Sequence, residues 1–568
     1  MTTINNKRTM TVNGRPVPIE GEKNLLDLIR KAGFDVPTLC YYSKLSTFGA
    51  CRMCIVEDKK GGIMAACSTP PRAGMEIRTN TLRLREYRKM ILELMLADHN
   101  RDCITCEKRR DCDLLKLATR FGVDTVRFET YSLDGRKDMS SPAVIRHPDK
   151  CILCGDCIRI CNEIQNVGAI DFANRGSKME VMPAFNMPLA ESNCVNCGQC
   201  AAVCPTAAIT IKSNVQELWE MLNDENIIVQ AQIAPAVRVA LGDQFNFPKG
   251  TNVMGKIVAA LRKLGFDEVY DTATGADLTV IEEAAEFIRR IDSGENLPLF
   301  TSCCPAWVKY AENKHPELTD NISSCKSPME MFGSVLKENA KRNLKGKKNN
   351  KTVKNIAIMP CTAKKYEIGK DALKLDGERV VDLAITTHEL ISVIIESGLN
   401  FEDIQPEAVD MPFGIASGAG MIFGVTGGVT EAVIRNIIDP DRAQLEEIAY
   451  TGVRGLEGVK EITLPYNDER ELSIAVVSGL RNAENLIQAI NSGEVHYDFV
   501  EVMACQGGCI AGAGQPFDID RARDERSAGI YEADRMSNVR TPQANPVTEA
   551  LYGDLLKGEN AHRLLHYK

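Results

Sequence analysis

No stretch of the 568-residue sequence approaches the roughly 18 consecutive apolar residues of a membrane-spanning helix, and the opening MTTINNKRTMTVNG lacks the apolar core of an export signal. No membrane partner is expected, and a cytoplasmic location is. Long blocks of one charge sign are also missing: 68 Lys and Arg stand against 77 Asp and Glu, a net charge of -9, which argues against nucleic acid as a partner. With 44% hydrophobic and 26% charged residues, the chain is neither disordered nor fibrous. At roughly 100–200 residues per domain, this length calls for three or more folded units. What the sequence does have is cysteine, 21 in all. In a chain without an export signal, close-set cysteine pairs point to metal or redox centres before disulfides.

The first block, to about residue 80, opens with RTMTVNGRPVPIE, two short strands around the hairpin dipeptide Asn13-Gly14. NLLDLIRKAG then has Leu25, Leu26 and Ile29 before Gly33, the pattern of a short helix with a glycine stop. Residues 82–98 are helical by pattern, and SLDGRKDMSSP (132–142) reads as a linker. Residues 143–212 contain an internal repeat, CILCGDCIRIC and CVNCGQCAAVC. From about 225 onward, apolar runs (NIIVQAQIAP, NIAIMPC, LSIAVVSGL, FVEVMAC) alternate with amphipathic segments such as DLTVIEEAAEFIRRI, which predicts α/β layering. The expected units are 1–81, 82–135, 143–212 and 225–568.

Cys40, Cys51, Cys54 and Cys67 are spaced C-x10-C-x2-C-x12-C behind Gly49 and Ala50. Four thiolates on a tight loop of small residues can hold two irons bridged by two sulfides; a structural zinc site is the alternative. The arrangement resembles the plant-type 2Fe-2S ferredoxin fold, with a longer internal spacing than the commonest one. His99, Cys103, Cys106 and Cys112 follow as H-x3-C-x2-C-x5-C, a set that by spacing alone suits zinc as well as a cluster. Cys151, Cys154, Cys157, Cys161 and Cys194, Cys197, Cys200, Cys204 form C-x2-C-x2-C-x3-C twice, the bacterial two-cluster pattern in which each fourth cysteine crosses over. One 4Fe-4S cluster is therefore assigned to Cys151, Cys154, Cys157 and Cys204, the other to Cys194, Cys197, Cys200 and Cys161. Pro205 completes the second copy, whereas Asn162 stands in that place in the first.

Six cysteines remain: Cys303, Cys304, Cys325, Cys361, Cys505 and Cys509. All but Cys325 lie in TSCCPAW (301–307), MPCTAKKYE (359–367) and FVEVMACQGGCIAGAGQP (499–516). In order and separation these stretches resemble the three signature loops of the iron-only (FeFe) hydrogenase catalytic domain. The order of the upstream modules is similar to that of the same family and of the large iron-sulfur subunit of respiratory complex I. In both, the histidine of the second module ligates a 4Fe-4S cluster, which assigns His99.

The resemblance implies a multidomain α+β and α/β fold: a 2Fe-2S ferredoxin-like β-grasp module, a cluster module of one histidine and three cysteines, a two-cluster ferredoxin module and a large α/β catalytic domain. It implies one 2Fe-2S cluster, three accessory 4Fe-4S clusters and an H-cluster, a 4Fe-4S cluster joined to a diiron unit bearing CO, CN and azadithiolate. Cys304, Cys361, Cys505 and Cys509 would ligate this centre, Cys509 bridging to the diiron unit, and Cys303 would pass protons to the azadithiolate amine. Lys364 would hydrogen-bond a cyanide, and Met359, Met503, Phe423, Pro235 and Ala236 would wall the diiron unit. Arg290, Glu286, Ser323 and Glu283 match a proton path from the surface to Cys303, with Glu283, Glu286 and Arg290 at helical spacing. The chain departs from the clostridial pattern at Ala236 (Ser), Met329 (Gln), Ala306 and Ala513 (Gly) and Cys325 (Ala).

Gly418, Gly420 and Gly424 are spaced G-x-G-x-x-x-G and miss the dinucleotide fingerprint, so close backbone packing is the better reading. Without a nucleotide or flavin motif, electrons should come from ferredoxin or a similar one-electron carrier, or through an additional NAD(P)-reducing subunit. Maturation proteins for the diiron unit are implied. The functions in competition are a catalytic hydrogenase, a noncatalytic iron-sulfur or H2-sensing relative, and the electron-receiving subunit of an NAD(P)-coupled complex.

Overall fold

Asn13 and Gly14 adopt left-handed φ of 50° and 81°, the geometry a two-residue hairpin requires, and pair Thr9–Val12 antiparallel with Arg15–Pro18. The computed structural model describes residues 8–129, 137–344, 351–437, 452–456, 458–467, 470–517 and 522–567. Thr9–Val12 also pairs in parallel with Glu76–Arg78, at the centre of a five-stranded sheet. Helix Leu25–Lys31 is capped by the Asn24 side chain and buries Leu25, Leu26, Leu28 and Ile29 against Met10, Val12, Val56 and Ile77. Helix Leu82–Ala97 is tied to this sheet by the buried Arg88, which donates to the carbonyls of Met53, Ile55 and Thr79. The predicted linker at 132–142 lies partly outside the described residues.

The internal repeat of sequence is also a repeat of backbone. Gly155 (φ 74°) and Gly198 (φ 69°) each enter a short helix from the left-handed region, preceded by Leu153 (φ 55°) and Asn196 (φ 59°) at matching positions. The copies then diverge where the proline is missing. After Gln199–Ala202 the second copy ends its helix ahead of Pro205, while the first continues past Cys161 as a widened coil to Ile164.

Among the described residues, the large unit holds two four-stranded sheets. The first is wholly parallel, in the order Glu268–Asp271, Ile227–Ile233, Thr352–Met359, Leu383–Thr386. In the second, Leu299–Phe300, Phe499–Met503 and Arg470–Ser478 run parallel, and Val459–Asn467 adds an antiparallel edge. The apolar runs read from the sequence form the strands 227–233, 352–359, 470–478 and 499–503, buried as parallel strands between helices must be. Helix Ala273–Ser293 joins the halves: Leu278 belongs to the core of the first sheet, Ala276, Val280 and Phe287 to that of the second. Loops leaving the carboxyl ends of parallel strands from both sheets meet here, where α/β sheets place their sites. Pro235 and Ala236 follow 227–233, Cys361 follows 352–359, Cys303 and Cys304 follow 299–300, and Cys505 follows 499–503.

Candidate metal centres

All 21 cysteines are free thiols. In the repeat module, Cys151, Cys154, Cys157 and Cys204 line one apolar cavity, and Cys161, Cys194, Cys197 and Cys200 line a second. That grouping is the crossed one read from the spacing. A cavity ringed by four thiols and otherwise apolar has the donor set of a 4Fe-4S cluster. In the first module Cys51 N points at Cys40 Sγ at 3.4 Å, an amide aimed at the sulfur of a candidate ligand. His99 is buried, its Nδ1 has no hydrogen-bond partner among the described residues, and burial lowers its pKa to about 4. A neutral imidazole with an unspent lone pair is what a metal ligand must be.

The modules touch where electrons would cross. Cys40, Cys51, Cys112 and Cys154 share one apolar cluster, and Arg159 donates to Cys40 O at 2.9 Å. The His99 module contacts the repeat module through Lys150 Nζ to Cys106 Sγ at 3.8 Å and Asp113 N to Pro205 O at 3.0 Å. Both amino-terminal modules thus abut the cavity of Cys151, Cys154, Cys157 and Cys204. The second cavity faces the large unit: Gln199 Nε2 lies 3.2 Å from Cys505 Sγ, and Thr362 Oγ1 donates to Asn196 O at 2.8 Å. A Cβ on Gly198 would come within 2.4 Å of Thr362 Oγ1 and 3.0 Å of Ala513 Cβ, so the close approach needs glycine.

Cys304, Cys361, Cys505 and Cys509 converge from three loops. Burial, then the neighbouring thiols, raise the pKa of Cys509 and Cys505 far above the usual thiol value, and that of Cys361 to about 12. Such a group of thiols is stable as thiolates only around a metal centre, so the donor set fits a cluster. Cys303, Cys304 and Cys509 pack against the apolar cluster that contains Ala236, Phe423 and Met503. Met359 belongs to the adjoining core, and Pro235 is buried with its carbonyl accepting from Arg238 at 3.1 Å. Gly424 backs directly on Ala236, where a Cβ would lie 3.2 Å from the Ala236 Cβ, in keeping with close packing in the SGAGMIFG stretch.

Lys364 is pinned by Glu367 at 2.7 Å and reaches Cys303 O at 3.4 Å. Burial alone would lower its pKa, but Glu367 and nearby thiols outweigh this and the ammonium persists. Glu330, whose pKa burial and then Glu367 raise to about 8, lies beside this pair as a largely protonated carboxyl. Glu367 closes the MPCTAKKYE stretch, though no role was read for it there, and Glu330 carries no sequence signal of its own.

On the other side of Cys303, Glu283 is fully buried, both its oxygens lack a hydrogen-bond partner among the described residues, and burial followed by Glu286 raises its pKa to about 8. Ser323 Oγ donates to Glu286 Oε2 at 3.1 Å, and Arg290 Nη2 to Glu286 Oε1 at 2.6 Å. The structure thus brings Arg290, Glu286 and Ser323 into one hydrogen-bonded run, with Glu283 one helical turn from Glu286. Cys325, read as either inert packing or a thiol near the site, points its sulfur at Glu286 Oε2 from 3.8 Å. The sequence reading missed Ser324 and His566, whose side chains also bond here (Ser324 Oγ to Glu286 Oε2 at 3.0 Å, His566 Nδ1 to Ser324 Oγ at 2.8 Å). Among the described residues, no helix is long and apolar enough to cross a membrane.

Known proteins resemble this chain along its whole length. The family model of the iron-only hydrogenase large subunit, C-terminal domain, matches residues 227–513, and that of the iron hydrogenase small subunit matches 520–568. Ahead of them come matches to a 2Fe-2S cluster binding domain (6–82), the NADH-ubiquinone oxidoreductase-G iron-sulfur binding region (88–127) and a 4Fe-4S dicluster domain (150–208). The chain is 39% identical to the NADP-reducing hydrogenase subunit HndD of Solidesulfovibrio fructosivorans over 98% of both chains. It is 35% identical to iron hydrogenase 1 of Clostridium pasteurianum over 99% of both. A solved variant of FeFe-hydrogenase HydA1 from Chlamydomonas reinhardtii superposes with a TM-score of 0.54 at 34% identity, covering 63% of this chain and 98% of that one.

Proposed function

Because the chain belongs to the iron-only hydrogenase family, we propose that it interconverts H2 with two protons and two electrons. The observation that carries this reading is the pairing of a four-thiol cradle (Cys304, Cys361, Cys505, Cys509) with a fifth thiol, Cys303, beside the unpartnered buried carboxyl of Glu283. The cradle would hold the H-cluster, which supplies the metals at which electrons and protons combine. The rest of the work falls to the chain. Burial keeps Cys303 a neutral thiol, able to give a proton and retake one. Glu283, with a pKa near 8, exchanges protons close to neutral pH. Ser323, bonded to Glu286 and close enough to act on the Glu283 carboxyl, would relay between the two glutamates, and Arg290 holds Glu286 in place. Lys364, locked by Glu367, offers a fixed positive charge to an anionic ligand of the cluster.

Electrons would reach the cradle through a 2Fe-2S cluster on Cys40, Cys51, Cys54 and Cys67 and three 4Fe-4S clusters, one of them on His99, Cys103, Cys106 and Cys112. A cytoplasmic ferredoxin is the proposed partner, with maturation proteins supplying the diiron unit. A second reading, service as the electron-receiving subunit of an NAD(P)-coupled complex, is favoured by the end-to-end match to a subunit described as NADP-reducing. A noncatalytic or H2-sensing role would leave the buried Glu283 and Cys303 without work. Anaerobic assay of H2 evolution and uptake by the matured chain, with reduced ferredoxin and NAD(P)H compared, tests this. Absence of turnover with every donor, in protein carrying the complete centre, would defeat it.

A further inference from the structure

The carboxyl-terminal segment brings a second set of ligand-type side chains to the proton relay. Lys326 N donates to Leu565 O at 2.8 Å, Tyr567 N donates to Ser324 O at 2.9 Å, and an isolated antiparallel bridge joins Cys325 to His566. Backbone pairing on both sides of His566 fixes where its side chain meets Cys325 and Glu286. One ligand atom from each of the three lies within 4.8 Å of the others, and all three residues are buried. Cys325 Sγ is 3.8 Å from Glu286 Oε2. Around a tetrahedral zinc with bonds of about 2.3 Å to sulfur and about 2.0 Å to oxygen, those two atoms stand about 3.5 Å apart. Small side-chain adjustments would close the site.

The imidazole is already oriented for this. His566 Nε2 meets Glu282 Oε2 at 2.9 Å, and Tyr552 donates to the other oxygen of Glu282 at 2.5 Å. A carboxylate on Nε2 keeps the ring proton there and leaves Nδ1 with its lone pair on the Ser324 side, the arrangement that supports metal-bound histidines. Ser324 Oγ, 2.8 Å from Nδ1 and 3.0 Å from Glu286 Oε2, marks the space between the ligands and is placed to become a fourth one or to turn aside.

We propose that Glu286, Cys325 and His566 form a binding site for a zinc-class divalent cation, and that its occupancy withdraws Glu286 from the proton relay and reversibly arrests turnover. The second half of the proposal rests on the hydrogenase reading; the first does not. On binding, the Cys325 thiol releases its proton to solvent, and thiolate and carboxylate together balance the two positive charges. One sulfur, one imidazole and one carboxylate favour Zn2+ or Cd2+ over Mg2+ and Ca2+, which take oxygen ligands. Arg290 shares Glu286 and would keep its bond to the other carboxylate oxygen.

The test uses the fully matured enzyme, whose cluster cysteines are already occupied by iron, titrated anaerobically with zinc chloride and desalted. About one zinc per chain should be retained at unchanged iron content, with a zinc K-edge spectrum showing one sulfur and otherwise nitrogen or oxygen neighbours. H2 evolution from reduced viologen should fall at least ~10-fold and return on adding EDTA. Cys325→Ala and His566→Gln should each lose the retained zinc, and Glu282→Gln should weaken its binding about 10-fold. Inhibition is scored against each variant's own zinc-free rate. A four-sulfur zinc spectrum, displaced iron, or equal zinc retention by Cys325→Ala overturns the site. Zinc held by one sulfur with undiminished turnover overturns the arrest. Retention and spectrum are read without H2, so a chain inactive as a hydrogenase still reports on the site.

Discussion

Gln199 of the repeat module directs one side-chain nitrogen both to the Cys505 thiol and to the Ala511 carbonyl, each at 3.2 Å. Gln199 directly precedes Cys200 in the sequence, so a single residue spans the gap between two cysteine sets. A hydrogen bond to a ligand sulfur stabilises the reduced, more negative form of a cluster and raises its potential. Gln199→Leu should therefore lower the potential of the cluster proposed on Cys304, Cys361, Cys505 and Cys509 while leaving its iron content intact. A redox titration followed by electron paramagnetic resonance would show this. Carrier-driven turnover should fall several-fold, and an unchanged midpoint potential would mean that the contact is only structural.

Variants at Cys303 and Glu283 separate the proposed proton delivery from assembly. Cys303→Ala should cut turnover by about 10²-fold or more, the scale of a lost general acid-base, while iron content and the CO and CN infrared bands persist. Loss of those bands would make Cys303 structural.

Glu283→Gln should stop turnover as severely, and its effect on stability has a sign that can be worked out. The carboxyl is raised from 4.5 to about 8 in the folded protein, mainly by burial. Between those values the unfolded chain has lost this proton and the folded chain keeps it, so the glutamate's contribution to stability is full below 4.5 and is lost as pH rises towards 8. Glutamine does not titrate. Thermal unfolding should therefore show the variant gaining on the parent protein as pH increases across that window, and a constant difference would contradict the buried neutral carboxyl.

The cysteine sets stand out in the sequence because their spacing is the kind that cluster ligation would impose, and the two groups of four read from the repeat are the groups that line the two cavities. The parallel strands were readable too, since burial on both faces leaves unbroken apolar runs such as NIIVQAQI and NIAIM. Contacts between distant segments left no local pattern. His566 reaches Ser324 across 242 residues, and Gln199 reaches Cys505 across 306. Nothing in either neighbourhood announces the other. The edge strand Val459–Asn467 was missed because its alternation of buried and exposed residues mixes Lys, Glu and Thr with Ile and Leu, the pattern of a half-buried antiparallel strand. Glu330, near Lys364 and Glu367, looks like an ordinary helix carboxylate until its burial is seen.

His99 offers a cleaner test of one accessory centre. Its buried Nδ1 has no partner among the described residues, so if it holds a cluster as proposed, His99→Ala should remove one set of reduced-cluster paramagnetic signals and leave the catalytic cradle assembled. The ligands of the two sites come from separate modules, and the infrared bands of the diiron unit should be unchanged. Carrier-driven rates should fall if electrons arrive through this module, and persist if they arrive through the 2Fe-2S module. Retention of the full signal set would show that His99 is not a ligand.

Partner choice follows from electron counting. Nineteen of the 21 cysteines, with His99, are assigned to iron-sulfur centres, which pass electrons singly. Hydride transfer from NADH delivers two electrons together and needs a flavin or similar converter. The glycines at 418, 420 and 424 do not supply a nucleotide loop: a Cβ on Gly418 would lie 2.1 Å from Asp534 Oδ1, and one on Gly420 2.4 Å from Ala273 O, so protein already fills the space beside them. The isolated chain should therefore exchange electrons with reduced ferredoxin or a viologen dye and fail to oxidise NADH or NADPH directly. Adding a flavin-bearing partner subunit should confer NAD(P)H-linked turnover without altering the dye-driven rate. Sustained NADH-dependent H2 evolution by the purified, flavin-free chain would overturn this, because it would require a two-electron site among residues assigned here to packing and to one-electron centres.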